Sequence, residues 1–512
     1  MYFFYTLVVI IMKEIEKFFK DNKIVLVSLF AIFIVTYGFA GTNSIINIDG
    51  INDYVILNKL SDYKLYLSVG RWAWAIIGYI FNYYPVPFLA LIMNGILFSI
   101  GGALLGKIFN IKREVYVILV STIMMAFPTN VIAYTYLPWQ FSIGIGYLLS
   151  IVSVYILKYS NNKFKLLLSS LLIGFCTSIY QSFLPLIMVL CIGCLIINFD
   201  NSKKLYKEFL KYIVYGFMGV VVYIVGVKLS TLLFNVEMNS YQNANQMFSI
   251  NYNISLIKKN LSTLLDTSFG VMFPESIHLM LKIVMFFGVL VSLFKYNVKN
   301  MFLYLVLVVL LLISPKIFCF IKPYQFYHII TLMAYSMFYV VGVTLLLNNF
   351  NVIRNNKFRK YFSNFMIVIL VIITFGMIVS ANKSFVMARQ STEASFQYLN
   401  RLQMRIEELD GYSDLEYPKK YYLYRDDPNK TFFLNKFSNK TFLEEQGVNW
   451  TFLSFNGDTI VAFNLLGVDV VEAKVSEEDE KEILKLLKDA KKYPDKSGIF
   501  IYKDIVVIKM EL

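Results

Sequence analysis

Histidine is almost missing from this 512-residue chain; there are two, His278 and His328, and they stand far apart. Cysteine is nearly as scarce, with Cys176, Cys191, Cys194 and Cys319, of which the first three lie inside apolar runs. Cys191 and Cys194 spell a CxxC, but amid MVLCIGCLII they read as small buried hydrophobes. A zinc site has too few ligands to form. There is no glycine-rich phosphate loop, no dinucleotide fingerprint and no catalytic-triad pattern. A nucleotide-linked substrate therefore has no recognisable cytoplasmic site, which favours a membrane-borne donor. Charge is also thin at 16%, against about 25% in soluble domains.

What fills the chain instead is apolar sequence. It is 57% hydrophobic with a mean hydropathy of +0.59. Eleven apolar runs are expected to cross a membrane: 24–40, 86–106, 115–131, 141–157, 164–177, 182–198, 213–234, 279–294, 301–314, 325–347 and 364–381. Most approach the roughly 20 residues that span a bilayer core. The 37 Tyr and 46 Phe include many near the ends of these runs, where aromatic belts sit. The fold class expected is an α-helical polytopic membrane protein carrying a small C-terminal α/β domain outside the membrane.

The formal charge of +14 invites a nucleic-acid reading, and its distribution rejects one. Residues 1–382 hold 29 Lys and Arg against 12 Asp and Glu; residues 383–512 hold 19 against 22. The excess sits in short loops between apolar runs. Alternate loops carry 20 basic residues on one side and 7 on the other. The positive-inside rule then places the N-terminus in the cytoplasm and the C-terminal domain outside. The opening MYFFYTLVVIIM has no basic leader and no cleavage signal, so Met12 is read as the true start, with an extra interfacial segment as the other reading.

Three divisions follow: a cytoplasmic segment over 1–23, a membrane domain over 24–382, and an extracytoplasmic domain over 383–512. Two long outer segments, 41–85 and 235–278, interrupt the membrane domain. The first contains GRWAWAIIGYIF (70–81), too short to span and expected to lie in the interface or re-enter. In the last domain a helix is expected over 384–409. KKYYLY, TIVAFNLL and GIFIYKDIVVIKM read as strands, and SEEDEKEILKLLKDAKK reads as a helix with a serine N-cap and acidic first turn.

Asp49, Asp53 and Asp62 all fall in the first outer loop. Asp49 and Asp53 are four apart, so a helix would place both carboxylates on one face. Such carboxylates suit a general base, or hold a divalent cation, Mg or Mn, the one cofactor for which the sequence offers ligands. A polar loop beside a membrane would also carry them for solvation alone. Arg71 in SVGRW could grip a phosphate with two hydrogen bonds, or anchor the chain among lipid headgroups. Lys316 and Lys322 could meet a lipid phosphate or simply snorkel. Trp139 and Gln140 in TYLPWQFS, with Tyr180 and Gln181 in TSIYQSFLP, are suited to sugar contact; aromatic-belt residues would look the same.

One span, an Asp-bearing outer loop, SVGRW, a basic-inside bundle with a Tyr-Gln hinge and an α/β tail together resemble the bacterial glucosyltransferase II family. That family is known from O-antigen glucosylation by serotype-converting phages and belongs to the C-type, multi-span glycosyltransferases. The likeness covers nearly the whole chain, including the end, KYPDKSGIFIYKDIVVIKM. Asp49 matches the first of the family's paired acids and Gly70-Arg71 its later Gly-Arg. Gly50 stands where the second acid is usual, with Asp53 as the substitute, and the intervening Arg is absent. The resemblance implies transfer of a hexose, glucose foremost, from a polyprenyl-phosphate carrier to a cell-surface polysaccharide or cell-wall polymer. It implies inversion at the anomeric centre, with Asp49 as general base and Arg71 stabilising the departing lipid phosphate. It also implies that the membrane is a bacterial inner or plasma membrane.

A transporter or flippase of lipid-linked sugars is the alternative class. It would favour charged or broken helices at the midplane and repeated halves. The apolar runs are nearly free of charge and show no repeat.

Overall fold

The structure is a computed structural model. It describes residues 14, 16–43, 45, 63–80, 86–136, 140–199, 202–239, 273–293, 298–320, 329–350, 355–426, 453 and 456–510, apart from some side chains at helix ends. Asp49, Asp53, Trp139, Lys322 and the first thirteen residues lie outside the described residues.

The described residues are mostly helical, at 78%. The helices of the first part are α1 (Lys23–Thr42), α2 (Tyr63–Ser68), α3 (Trp72–Ile80), α4 (Pro87–Ile108), α5 (Glu114–Met125), α6 (Pro128–Ala133), α7 (Gln140–Tyr159), α8 (Lys165–Ile179), α9 (Phe183–Ile197), α10 (Ser202–Phe234), α11 (Glu275–Leu293), α12 (Val298–Ile313), α13 (Ala334–Asn348) and α14 (Asn356–Glu407). Each expected span overlaps one of these, except 115–131, which covers both α5 and α6. Among the described residues eight helices are long and apolar enough to cross a membrane, fewer than the eleven expected. The other three, α5, α8 and α9, are 12, 15 and 15 residues long, which at about 1.5 Å per residue falls short of a full core.

The sequence accounts for the first of these short helices. Pro128 cannot donate to the helix and pushes Phe127 into an extended conformation (ψ 139°), so the run breaks into α5 and α6. In an apolar surrounding the carbonyls freed by a break need donors. Asn130 Nδ2 donates to Met124 O at 2.7 Å, and Tyr37 Oη donates to Met125 O at 2.6 Å. Tyr147 Oη in turn donates to Asn130 Oδ1 at 2.7 Å and lies 3.0 Å from Ser336 Oγ. The α5–α6 break is thus tied to α1, α7 and α13.

Burial sorts the helices. The span ending at Asn348 is 89% buried, whereas the α10 span is 17% buried and exposes Leu229, Leu232 and Leu233. An apolar helix with so little protein around it belongs against lipid. α4 packs between α1 and α7, α8 packs on α7 and α10, and α13 packs on α9 and α11. The α11–α13 crossing depends on glycine: a Cβ on Gly288 would stand 2.3 Å from Gly342 O. Gly288→Ala must push the helices apart and is expected to destabilise the bundle by about 1–3 kcal/mol, the usual cost of overpacking. Thermal unfolding of the purified protein measures this, and an unchanged midpoint would refute the close crossing.

By contacts the chain divides into two compact units, residues 1–42, 61–134 and 138–383 forming one and residues 43–60, 135–137 and 384–512 the other. In the second unit a four-stranded sheet has the order β2 (Val470–Glu472), β1 (Lys419–Tyr424), β4 (Ile505–Lys509), β3 (Ile499–Tyr502). β1 is parallel to β2 and β4, and β3 is antiparallel to β4, with Tyr422 opposite Val507. Side-chain alternation serves both faces. Tyr421, Leu423, Val506 and Ile508 pack on the α14 residues Leu399, Leu402 and Ile406. Ile505 and Val507 pack on Ile483 and Leu487 of α16 (Glu477–Asp489). Ser476 caps α16, its Oγ accepting from Asp479 N at 3.1 Å.

KKYYLY forms β1 as expected, while GIFIYKDIVVIKM is a hairpin of two strands, β3 and β4. TIVAFNLL is not a strand. It lies in helix α15 (Asn456–Leu465), which buries Thr459, Ile460, Ala462 and Phe463 at helical spacing. Gly467, at φ +85°, ends that helix: Gly467 N donates to Asn464 O and Val468 N to Phe463 O.

Candidate functional site

The segment between α1 and α4 contains a tight reversal at Gly70. α2 ends at Ser68, and Gly70 takes the left-handed conformation at φ +78°. Gly70 N donates to Leu67 O at 3.0 Å, and Arg71 N donates to Tyr66 O at 2.8 Å. These two bonds satisfy carbonyls at the end of α2 and stop the helix. Ala75 N then donates to Arg71 O at 3.1 Å, which starts α3. Arg71 therefore stands between the end of one helix and the beginning of the next. The N-terminal end of α3 adds partial positive charge beside the guanidinium.

Three other elements hold this corner. Gln181, between α8 and α9, donates from Nε2 to Val69 O at 2.9 Å and to Tyr223 Oη at 3.3 Å. Tyr223, on α10, is buried, and its hydroxyl leaves no room for a side chain at position 70; a Cβ there would lie 2.6 Å from Oη. The Arg71 guanidinium lies over the Tyr180 ring, 5.0 Å from its centroid. On the far side, the Tyr66 and Trp74 rings are 3.6 Å apart at their centroids, and Trp72 meets Phe175 edge-on at 5.7 Å. The result is a cation fixed by backbone and ring contacts. A guanidinium held in this way presents its donors as a planar fork, which matches phosphate oxygens.

Of the candidates raised from sequence, the structure brings Arg71, Tyr180 and Gln181 together. Gln140 lies elsewhere, in a buried polar network. Its Nε2 donates to Tyr134 O at 2.9 Å and its backbone O accepts from Asn94 Nδ2, while Asn94 Oδ1 accepts from Gly144 N at 2.9 Å. Lys316 is buried in a distorted 3-10 segment, Ser314–Phe320, which packs on α9, α12 and α13. Among the described residues no three His, Cys, Asp or Glu side chains gather as metal ligands. The carboxylates proposed for that role, Asp49 and Asp53, lie outside those residues.

Sequence reasoning missed Tyr223 and the amides Asn94 and Asn130. The amides carried a signal, since a polar side chain within an apolar run needs a buried partner. Tyr223 carried little, because a tyrosine in FMGVVVYIVGV looks like any aromatic packing residue.

No curated protein and no solved structure matches this chain. A family model described as glucosyl transferase GtrII matches residues 38–341. The matched stretch covers more than half of the 512 residues and contains every element of the Arg71 corner. The chain therefore belongs to the GtrII glucosyl transferase family.

Proposed function

We propose that this glucosyltransferase moves a hexose, glucose foremost, from a polyprenyl-phosphate donor to a cell-surface polysaccharide or cell-wall polymer. The observation that carries this reading is the Gly70-Arg71 reversal. It fixes a cation through Gln181, Tyr180 and Tyr223, in a chain whose described residues include eight helices long and apolar enough to cross a membrane. In the reaction Asp49 takes the proton of the acceptor hydroxyl. The hydroxyl oxygen attacks the anomeric carbon from the face opposite the lipid phosphate, so that the configuration inverts. The bond from the anomeric carbon to the phosphate oxygen breaks, and the electron pair leaves with the phosphate. Arg71 compensates the charge that grows there, an electrostatic contribution of the kind that usually dominates such steps. Asp53 orients the acceptor or shares a divalent cation with Asp49.

Lys316 and Lys322 are the further cations offered to the donor phosphate. Trp139 and Tyr180 are the residues offered to the sugars, while Gln140, its amide nitrogen given to Tyr134 O, stays in the buried network apart from the corner. With its amide nitrogen given to Val69 O, Gln181 acts as a positioning residue for the corner. The C-terminal unit serves acceptor recognition. The experiment that tests the function is a comparison of surface glycans with and without the gene. Loss of one hexose substituent is expected, and an unchanged glycan profile would refute the transfer.

In the proposed topology the N-terminus is cytoplasmic and the C-terminal unit lies outside, because alternate loops carry 20 against 7 basic residues. A reporter active only outside the cytoplasm should work when fused after Leu512. Activity instead from fusions at Lys204 and Arg359 would reverse the orientation.

A further inference from the structure

The end of the helical bundle formed by the basic loops contains a cleft of about 620 Å³. Its walls come from the α4–α5 loop, the last turn of α13 and the first turns of α14. Four cations line it, Lys112, Arg113, Arg359 and Lys360, together with Asn349 and Ser363. No acidic residue is among the described lining residues. A neighbouring cleft, which shares Lys112, differs in this respect, since Asp21 and Glu114 line it.

The cleft is built from connected side chains. Arg113 Nη1 donates to the buried Ser363 Oγ at 2.9 Å, and Tyr116 Oη lies 2.5 Å from the same oxygen. The Arg113 guanidinium lies over the Tyr116 ring, 5.6 Å from its centroid. Arg359 Nη2 donates to Asn356 Oδ1 at 2.7 Å. Two arginines are thereby oriented on facing elements, with two exposed lysines at the rim. Phe358, Tyr361 and Phe365, on the same helix as Arg359, are more than half exposed, as side chains at a membrane surface would be.

We propose that this cleft binds the phosphate of an anionic phospholipid headgroup. Four positive charges around one concave site, with no carboxylate among its described lining residues, favour an anion. Guanidinium forks on two sides suit phosphate oxygens. A basic pocket between transmembrane helices is a recurrent headgroup site. Topology alone requires basic loops, but it does not require arginines oriented by Ser363, Tyr116 and Asn356 around a cavity.

The test uses the full-length chain in an uncharged detergent. Its thermal midpoint is followed as phosphatidylglycerol, phosphatidylcholine with the same acyl chains, or glycerol phosphate is added. Phosphatidylglycerol is expected to raise the midpoint saturably, and the other two are not. The pair Lys112→Gln and Lys360→Gln removes two exposed charges and should weaken the phosphatidylglycerol response about 30-fold, taking about 1 kcal/mol per charge. Arg113→Gln should act in the same direction. Lys163→Gln with Lys207→Gln removes two exposed charges that do not line the cleft and should change nothing. An unaltered response in the Lys112/Lys360 variant, or an equal loss in the Lys163/Lys207 variant, would overturn the site. An equal response to glycerol phosphate would overturn its assignment to a lipid.

Discussion

Asp49→Asn is expected to lower hexose transfer by about 10²–10⁴-fold, the usual contribution of a positioned general base. The substitution keeps the size and much of the hydrogen-bonding shape of the side chain and removes its basicity. Asp49 follows the first span closely, stands 21 residues before Gly70, and falls within the stretch matched by the GtrII family. An acid in such a loop carries little of the bundle's packing, so insertion and yield should remain normal. Asp53→Asn should cost less if Asp53 only orients the acceptor, and a similar amount if both carboxylates hold one cation. The measurement is single-turnover transfer by the purified protein. An Asp49→Asn protein that keeps more than about a tenth of wild-type transfer would remove Asp49 from the role of base.

Arg71→Lys is expected to lower transfer by about 10²–10³-fold, the range seen when one donor to a developing negative charge is lost. Lysine keeps the charge, but it loses the planar fork and the registered contact with the Tyr180 ring. The loss should appear mainly in kcat, because the charge on the leaving phosphate grows toward the transition state. The competing role, an anchor among lipid headgroups, makes the opposite forecast: lysine serves there as well as arginine. Near-wild-type kcat in Arg71→Lys would therefore move Arg71 from the chemistry to the membrane surface.

These two residues also mark how far the sequence could be read. Gly70-Arg71 and Tyr180-Gln181 were legible because polar or special residues stand where apolar ones would suffice. Their meeting was not legible, since positions 71 and 181 are far apart in sequence and are brought together by the packing of α3 on α8 and of α8 on α10. Tyr223 completes the corner and has no local mark in its apolar run. The helix lengths follow the same logic. Hydropathy found the apolar runs, but it counted the α5–α6 run as one span, although Pro128 in FPTN already carried the break. In the C-terminal unit, alternating KKYYLY gave a strand correctly. TIVAFNLL was read as a short alternating strand, against the helix-ending signal in FNLLGV, where Gly467 takes a positive φ. Period alone is a weak guide in so short a run.

The most direct measurement of the proposed chemistry reconstitutes the full-length protein in vesicles with polyprenyl-phosphate glucose labelled in the sugar and with acceptor polysaccharide isolated from a strain lacking the gene. Label should pass to the polymer with inverted anomeric configuration, and one polyprenyl phosphate should be released for each glucose transferred. Transfer from a nucleotide-linked glucose while the lipid-linked donor stays intact would contradict the lipid-phosphate donor.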